Sequence, residues 1–131
     1  MNKFNYPQAN EPEKVGSYDG HACSGGGFFY DEVLEYRVWC HPEGGAPDKF
    51  NGDDYFYAFN SFEEALDLSK ITKGAEEPLV LVKQLEWVNE PEPGVYIHEK
   101  TERITEWLPA WLEDGPRKEG DVESLVAKSK K

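Results

Sequence analysis

Apolar and polar residues alternate along VLEYRVWCH, residues 33–41. Leu34, Tyr36, Val38 and Cys40 fall on one face of an extended segment, and Glu35, Arg37, Trp39 and His41 on the other. A period of two predicts a strand, and Pro42 ends it. DYFYAF, residues 54–59, is rich in β-forming aromatics and predicts a second strand, with Tyr55, Tyr57 and Phe59 on one side. The period then changes. Phe62, Ala65, Leu66 and Leu68 make an apolar stripe, and Ser61 followed by Glu64 is a capping box, so a helix is expected over 61–69. The run PLVLVKQLEWV predicts one long strand over 79–88, which NEPEPG turns back into VYIHEK, a returning strand over 94–99. ERITEW suits a further strand and LPAWLEDG a short turn or helix, since Pro109 is tolerated only near a helix start. DVESLVAKS predicts a last helix with Asp121 as N-cap and basic residues at its C-terminal end.

This order predicts an α+β fold in a single domain: a mainly antiparallel sheet of four to five strands with one or two packed helices. The long strand is apolar on both faces, so both should be covered. The helix over 61–69 covers one. The other falls to the N-terminal segment, to the C-terminal segment with Trp107 and Trp111, or to a partner. Residues 1–27 carry little aliphatic bulk, and Pro7, Pro12, Gly16, Gly20 and the run Gly25–Gly27 break any period. They are read as an extended or mobile arm whose aromatics Phe4, Tyr6 and Tyr18 can dock on a body formed by residues 28–131. No internal repeat is visible.

Composition narrows the partners. The chain has 131 residues, with 26 acidic against 14 basic side chains and a net charge of −12. That field repels nucleic-acid phosphate and anionic lipid and attracts basic partners, so direct nucleic-acid binding is not expected. No stretch approaches the ~20 apolar residues of a membrane span, and the N-terminus lacks the apolar core of a secretory signal. The two cysteines, Cys23 and Cys40, make no disulfide framework. A cytoplasmic protein is the expectation.

Little in the chain points to catalysis. His21, Cys23, Cys40 and His41 are the soft metal ligands, but adjacent Cys40 and His41 point to opposite sides of a strand, so no metal site is expected. Cys40 is read instead as a small buried hydrophobe. Cys23 with His21 or His41 lacks a rigid support for nucleophilic chemistry, and no G-x-S-x-G elbow is present. SGGGFF has no following Lys-Ser/Thr and is no phosphate loop. The carboxylate pairs Asp53–Asp54, Glu63–Glu64 and Glu76–Glu77 suit caps and solvated surface. No cofactor is predicted.

One arrangement stands apart. Arg37 and Trp39 share a strand face, a pairing that can stack on or clamp an anionic or aromatic ligand. The plainer alternative pairs Arg37 with a carboxylate of a neighbouring strand, such as Glu86, and packs Trp39 under the arm or the C-terminal helix. With Trp87 and Glu106, Arg37 and Trp39 make the candidate binding face.

From VLEYRVWCHPEGG through the distinctive EEPLVLV and EPEPG stretches to Leu112, the chain resembles a set of small bacterial proteins commonly labelled GNAT-family N-acetyltransferases. The resemblance implies acyl transfer from acetyl-CoA. The chain has no Q/R-x-x-G-x-G/A pyrophosphate loop, so no catalytic residue carries over and acetyl-CoA is not expected to bind. The order of Arg37, YFYAFNSFEEAL and Glu106 is also similar to ADP-ribosyltransferase-type domains, which place an Arg or His early, an aromatic strand next and a Glu late. The leading expectation is a non-catalytic module that binds a protein with a basic surface. Acetyltransferase and ADP-ribosyltransferase readings follow in that order.

Overall fold

A computed structural model describes residues 6–19, 29–113 and 115–128. Strand β1 (Glu32–Cys40) lies at the centre of the body, pairing antiparallel with β2 (Tyr55–Phe59) on one side and β3 (Leu79–Gln84) on the other. Strand β6 (Arg103–Trp107) pairs antiparallel with β3 and completes a four-stranded sheet of order β2-β1-β3-β6. Helix α1 (Phe62–Ile71) follows β2 directly. The Ser61 hydroxyl accepts from the Glu64 amide at 3.3 Å and donates to the Glu64 carboxylate at 3.0 Å. The capping box therefore forms, and the helix runs two residues beyond its expected end.

Alternation along the strands sorts the two faces. Tyr36, Val38 and Cys40 of β1 join Val80, Val82, Trp107, Phe62 and Ala65 in one apolar core. Cys40 is buried there as a hydrophobe, while His41 lies outside. The register shifts between Val33 and Glu35, so Val33 rather than Leu34 stands opposite Val82. Leu34 is the extra residue of a bulge, and the expected row of Leu34 with Tyr36 is broken by that insertion.

The expected long strand over 79–88 does not exist as one strand. The ladder ends at Gln84, Leu85–Glu86 bend, and β4 (Trp87–Glu92) pairs with β5 (Val95–Glu99) as a separate two-stranded sheet. The cause is local to Asp31. Its carboxylate accepts from the Leu85 amide at 2.7 Å, while its own amide donates to the Lys83 carbonyl at 2.8 Å. The N–H that would continue the ladder is thus taken. Glu90 and Pro91, expected in the turn, are in β4, and the reversal is at Pro93–Gly94. A two-stranded hairpin is marginal alone; α2 (Asp121–Val126) packs against both of its strands. Gly120, not Asp121, is the N-cap of α2, and its last turn carries no basic residue. Among the described residues no helix is long and apolar enough to cross a membrane.

Residues 6–19 lie along the body and touch both sides of the sheet. Tyr6 stacks edge-on against Phe62 at 4.9 Å on the α1 side, and the Tyr36 hydroxyl donates to the Pro7 carbonyl. The amides of Ala9 and Asn10 donate to the carbonyls of Asn60 and Val33, both at 2.7 Å. The Asn10 bond takes up a β1 carbonyl beyond the end of the β1–β2 ladder, which stops at Tyr36, and the Ala9 bond takes up the carbonyl just after β2. On the opposite face the Gly16 amide donates to Glu35 at 2.8 Å. The arm thus covers the second face, while Trp107 and Trp111 belong to the α1 side.

Candidate functional site

The face opposite α1 carries charges where a core is expected. Glu35 and Arg37 are fully buried and Glu106 is 5% exposed. Arg37 donates from Nε to Glu35 at 2.6 Å and from Nη1 to Glu106 at 2.9 Å. Its Nη2 donates to the carbonyls of Tyr18 at 3.3 Å and Asp19 at 2.5 Å. The guanidinium also lies 4.1 Å over the Phe56 ring. A buried charge of this kind persists only when paired and hydrogen-bonded, and here every nitrogen of Arg37 has a partner. The partners are Glu35 and Glu106, not Glu86. Glu86 lies beyond the bend at Leu85 and pairs with His98 and Arg117 instead.

This network fixes Trp39. Its indole Nε1–H donates to Glu106 at 2.8 Å, and its ring lies 4.8 Å from Phe56, the residue opposite it across the β1–β2 ladder. Glu106 is held by Arg37, and Arg37 by Glu35 and the arm. The side chain of Trp39 is therefore oriented from beneath, with part of it left facing solvent.

Above it opens a pocket of about 420 Å³ lined by Trp39, Phe50, Asp53, Asp54, Tyr55 and Phe56. Phe50 reaches it from the loop between β1 and β2 and is 57% exposed, an unusual setting for a large apolar ring. It rests edge-on against Tyr55 at 5.5 Å. Asp53 and Asp54 are exposed. One side of Asp54 is occupied: its Oδ1 lies 2.8 Å from His41 Nδ1, while His41 Nε2 contacts Glu76. Hydrogen bonds to Asp54 first, and then to Glu76, raise the His41 pKa above its ordinary value. The Glu76 amide donates to the Trp39 carbonyl at 2.8 Å, two residues after a tight approach at Gly74. Gly74 has φ +80°, and a Cβ would fall 2.4 Å from the Ala46 nitrogen.

Trp87, the fourth member of the expected binding face, lies elsewhere. It is on β4, capped by the Arg103 guanidinium at 4.0 Å, with Nε1 donating to the Thr101 carbonyl at 3.1 Å. Arg37, Trp39 and Glu106 meet; Trp87 does not join them. Sequence reasoning missed Glu35, which shares the strand face of Arg37 and Trp39 but was not singled out, and the loop residues Phe50, Asp53 and Asp54. An isolated phenylalanine within the turn-rich EGGAPDKFNGDD was the available signal.

Of His21, Cys23, Cys40 and His41, the first two lie outside the described residues, and Cys40 and His41 sit on opposite sides of the sheet end. Among the described residues, Glu86, His98 and Glu123 bring one ligand atom each to within 4.8 Å of one another. Arg117 already binds the second Glu86 oxygen at 2.8 Å and Asp31 at 2.8 Å. The group reads as an ion-pair chain tying the hairpin and α2 to the main sheet. A larger apolar cavity, about 650 Å³, lies between α1 and residues 108–110, with Glu76 and Glu77 as its charged lining. No protein-family model matches this chain, and no curated protein or solved structure matches it significantly.

Proposed function

We propose that the chain is a binding module for a basic segment of another protein, with the pocket beside Trp39 as its anchor. The observation that carries this reading is the combination of aromatic residues and two exposed carboxylates in one open pocket, on a chain of net charge −12. Ring faces and carboxylates both attract a cation, and a tryptophan face is the strongest of the aromatic types. The long-range field brings basic partners in and the pocket takes one positive group. Strand β2 already receives the protein's own cations, Arg37 over Phe56 and Lys49 at 5.5 Å over Tyr57.

In this reading Arg37 is a positioning residue. It is wholly buried and acts through Glu106 on the indole. Trp39 makes the contact. Titration of the full chain with a lysine- and arginine-rich peptide, followed by calorimetry at low and at physiological salt, tests this. Saturable binding is expected, weakening with salt and weakening at least about tenfold in Trp39→Ala, a typical loss for a central aromatic anchor. Absence of saturable binding at low salt, or equal affinity in Trp39→Ala, would overturn the reading.

A further inference from the structure

The pocket has a chemical bias beyond positive charge. The hydrogen-bonding groups of its aromatic residues are turned away from it. The Trp39 Nε1–H donates inward to Glu106 at 2.8 Å, and the Tyr55 hydroxyl donates to the Pro47 carbonyl at 2.7 Å. Phe50 and Phe56 have none to offer. Of the two carboxylates, Asp54 is partly engaged by His41 at 2.8 Å. What remains toward a ligand is aromatic surface with negative charge at its rim.

That inventory suits one kind of cation better than the others. A guanidinium carries five N–H donors and a primary ammonium three, each needing an acceptor once water is displaced. The acceptors are the exposed carboxylates of Asp53 and Asp54 at the rim, while the aromatic floor has none, so an ammonium or guanidinium resting on the rings can bind there but keeps some N–H donors turned toward surfaces that accept them only weakly. A quaternary ammonium has no N–H donors. Its charge is spread over methyl groups that pack directly on ring faces, and it needs only a carboxylate nearby. The pocket is open, so such a group can enter at the end of a side chain whose backbone stays outside. Resting on the binding reading above, we propose that the pocket takes a quaternary ammonium carried by a trimethylated lysine of the basic partner.

The test uses the full chain and one basic peptide sequence in three forms: unmodified lysine, trimethyl-lysine, and its neutral tert-butyl isostere. Tetramethylammonium chloride serves as the free ion. Calorimetry and tryptophan fluorescence report binding. The trimethylated peptide is expected to bind at least about threefold tighter than either other form, the order of effect a cation on solvent-open aromatic faces supplies. Free tetramethylammonium is expected to compete with it at much higher concentration. Phe50→Ala and Asp53→Asn, both at exposed positions outside the strands, should erase the preference without lowering the melting temperature. Equal affinity for the unmodified and trimethylated peptides overturns this inference and leaves the basic-segment reading standing. The isostere matching the trimethylated peptide also overturns it, because charge would then play no part. Tetramethylammonium binding as tightly as the peptide would assign the pocket to a free small cation instead of a lysine. Failure of all three peptides overturns both readings together.

Discussion

Replacing Arg37 with methionine removes the guanidinium while keeping much of the volume of its stem. Glu35, fully buried, and Glu106, 5% exposed, then face each other with no cation between them. The wild-type cluster makes two charge-assisted bonds, at 2.6 and 2.9 Å, and two more to the arm carbonyls of Tyr18 and Asp19. Breaking a buried pair by removing one partner costs about 3–5 kcal/mol, because the stranded charge stays desolvated. A domain of this size has only about 5–15 kcal/mol of stability in all, so Arg37→Met should lose a large fraction of it. A fall of roughly 10–20 °C in melting temperature follows, at about 3–5 °C per kcal/mol for this chain length. Urea denaturation at neutral pH gives the free energy directly. The triple variant Glu35→Gln, Arg37→Met, Glu106→Gln should recover part of the loss, since no stranded charge remains. If Arg37→Met stays within about 1 kcal/mol of wild type, or the triple variant is worse than the single, the account of the buried face is wrong. Arg37→Ala cannot be a clean probe of binding, because the residue supports the fold.

Three further substitutions test the surroundings of the pocket. The folded pKa of His41 is raised, by Asp54 and then Glu76. Its contribution to stability is therefore fully present below the ordinary histidine value of about 6.5 and is lost as pH rises through the raised folded value. His41→Ala should lower the unfolding free energy more at pH 6 than at pH 9, by under about 1 kcal/mol and less at high salt, since Asp54 and Glu76 are over half exposed. A larger loss at pH 9 than at pH 6 would reverse the sign and sink the assignment. Gly74→Ala places a Cβ 2.4 Å from the Ala46 nitrogen and 2.8 Å from the His41 carbonyl at φ +80°, and should cost about 3 kcal/mol or more in urea denaturation. Gly52→Ala, at φ +86° with nothing within 4 Å, should cost only about 1–2 kcal/mol; equal losses would show that the close approach is not what constrains Gly74.

Much of the fold was legible because its signals are local. The alternation through VLEYRVWC, the β-forming YFYAF and the Ser61–Glu64 cap each sit within a few residues of what they specify. The break after Gln84 was not legible. Leu85 and Trp87 continue the apolar alternation, and the group that stops the ladder is Asp31, 54 residues earlier. The buried face failed for the same reason. Nothing near Glu35 marks it as interior; its burial depends on Arg37, on Glu106, which lies 69 residues beyond Arg37, and on the arm. Glu106 and Arg37 were both singled out, but their contact follows from the strand order β1-β3-β6, which periodicity does not contain. The pocket escaped notice because Phe50, Asp53 and Asp54 lie in a loop whose composition describes only turns.

The path of residues 6–19 also bears on the order in which the molecule assembles. This segment precedes the sheet in the chain, yet its anchors are the Asn60 and Val33 carbonyls, the Phe62 ring and the Glu35–Arg37 pair. None of these is in place until β1, β2 and α1 have come together, and Glu106 arrives later still. Residues 6–19 must therefore wait for those elements, and docking them is a late step in folding. Contacts made late are absent from the transition state, so they act on the unfolding rate and leave the folding rate nearly unchanged. Detachment of the arm is then the first event on the way out, and Arg37 is the first buried charge that water reaches. Amides of Ala9, Asn10 and Gly16 should exchange with solvent sooner than those of the central strand β1, in a partial opening that leaves the sheet intact.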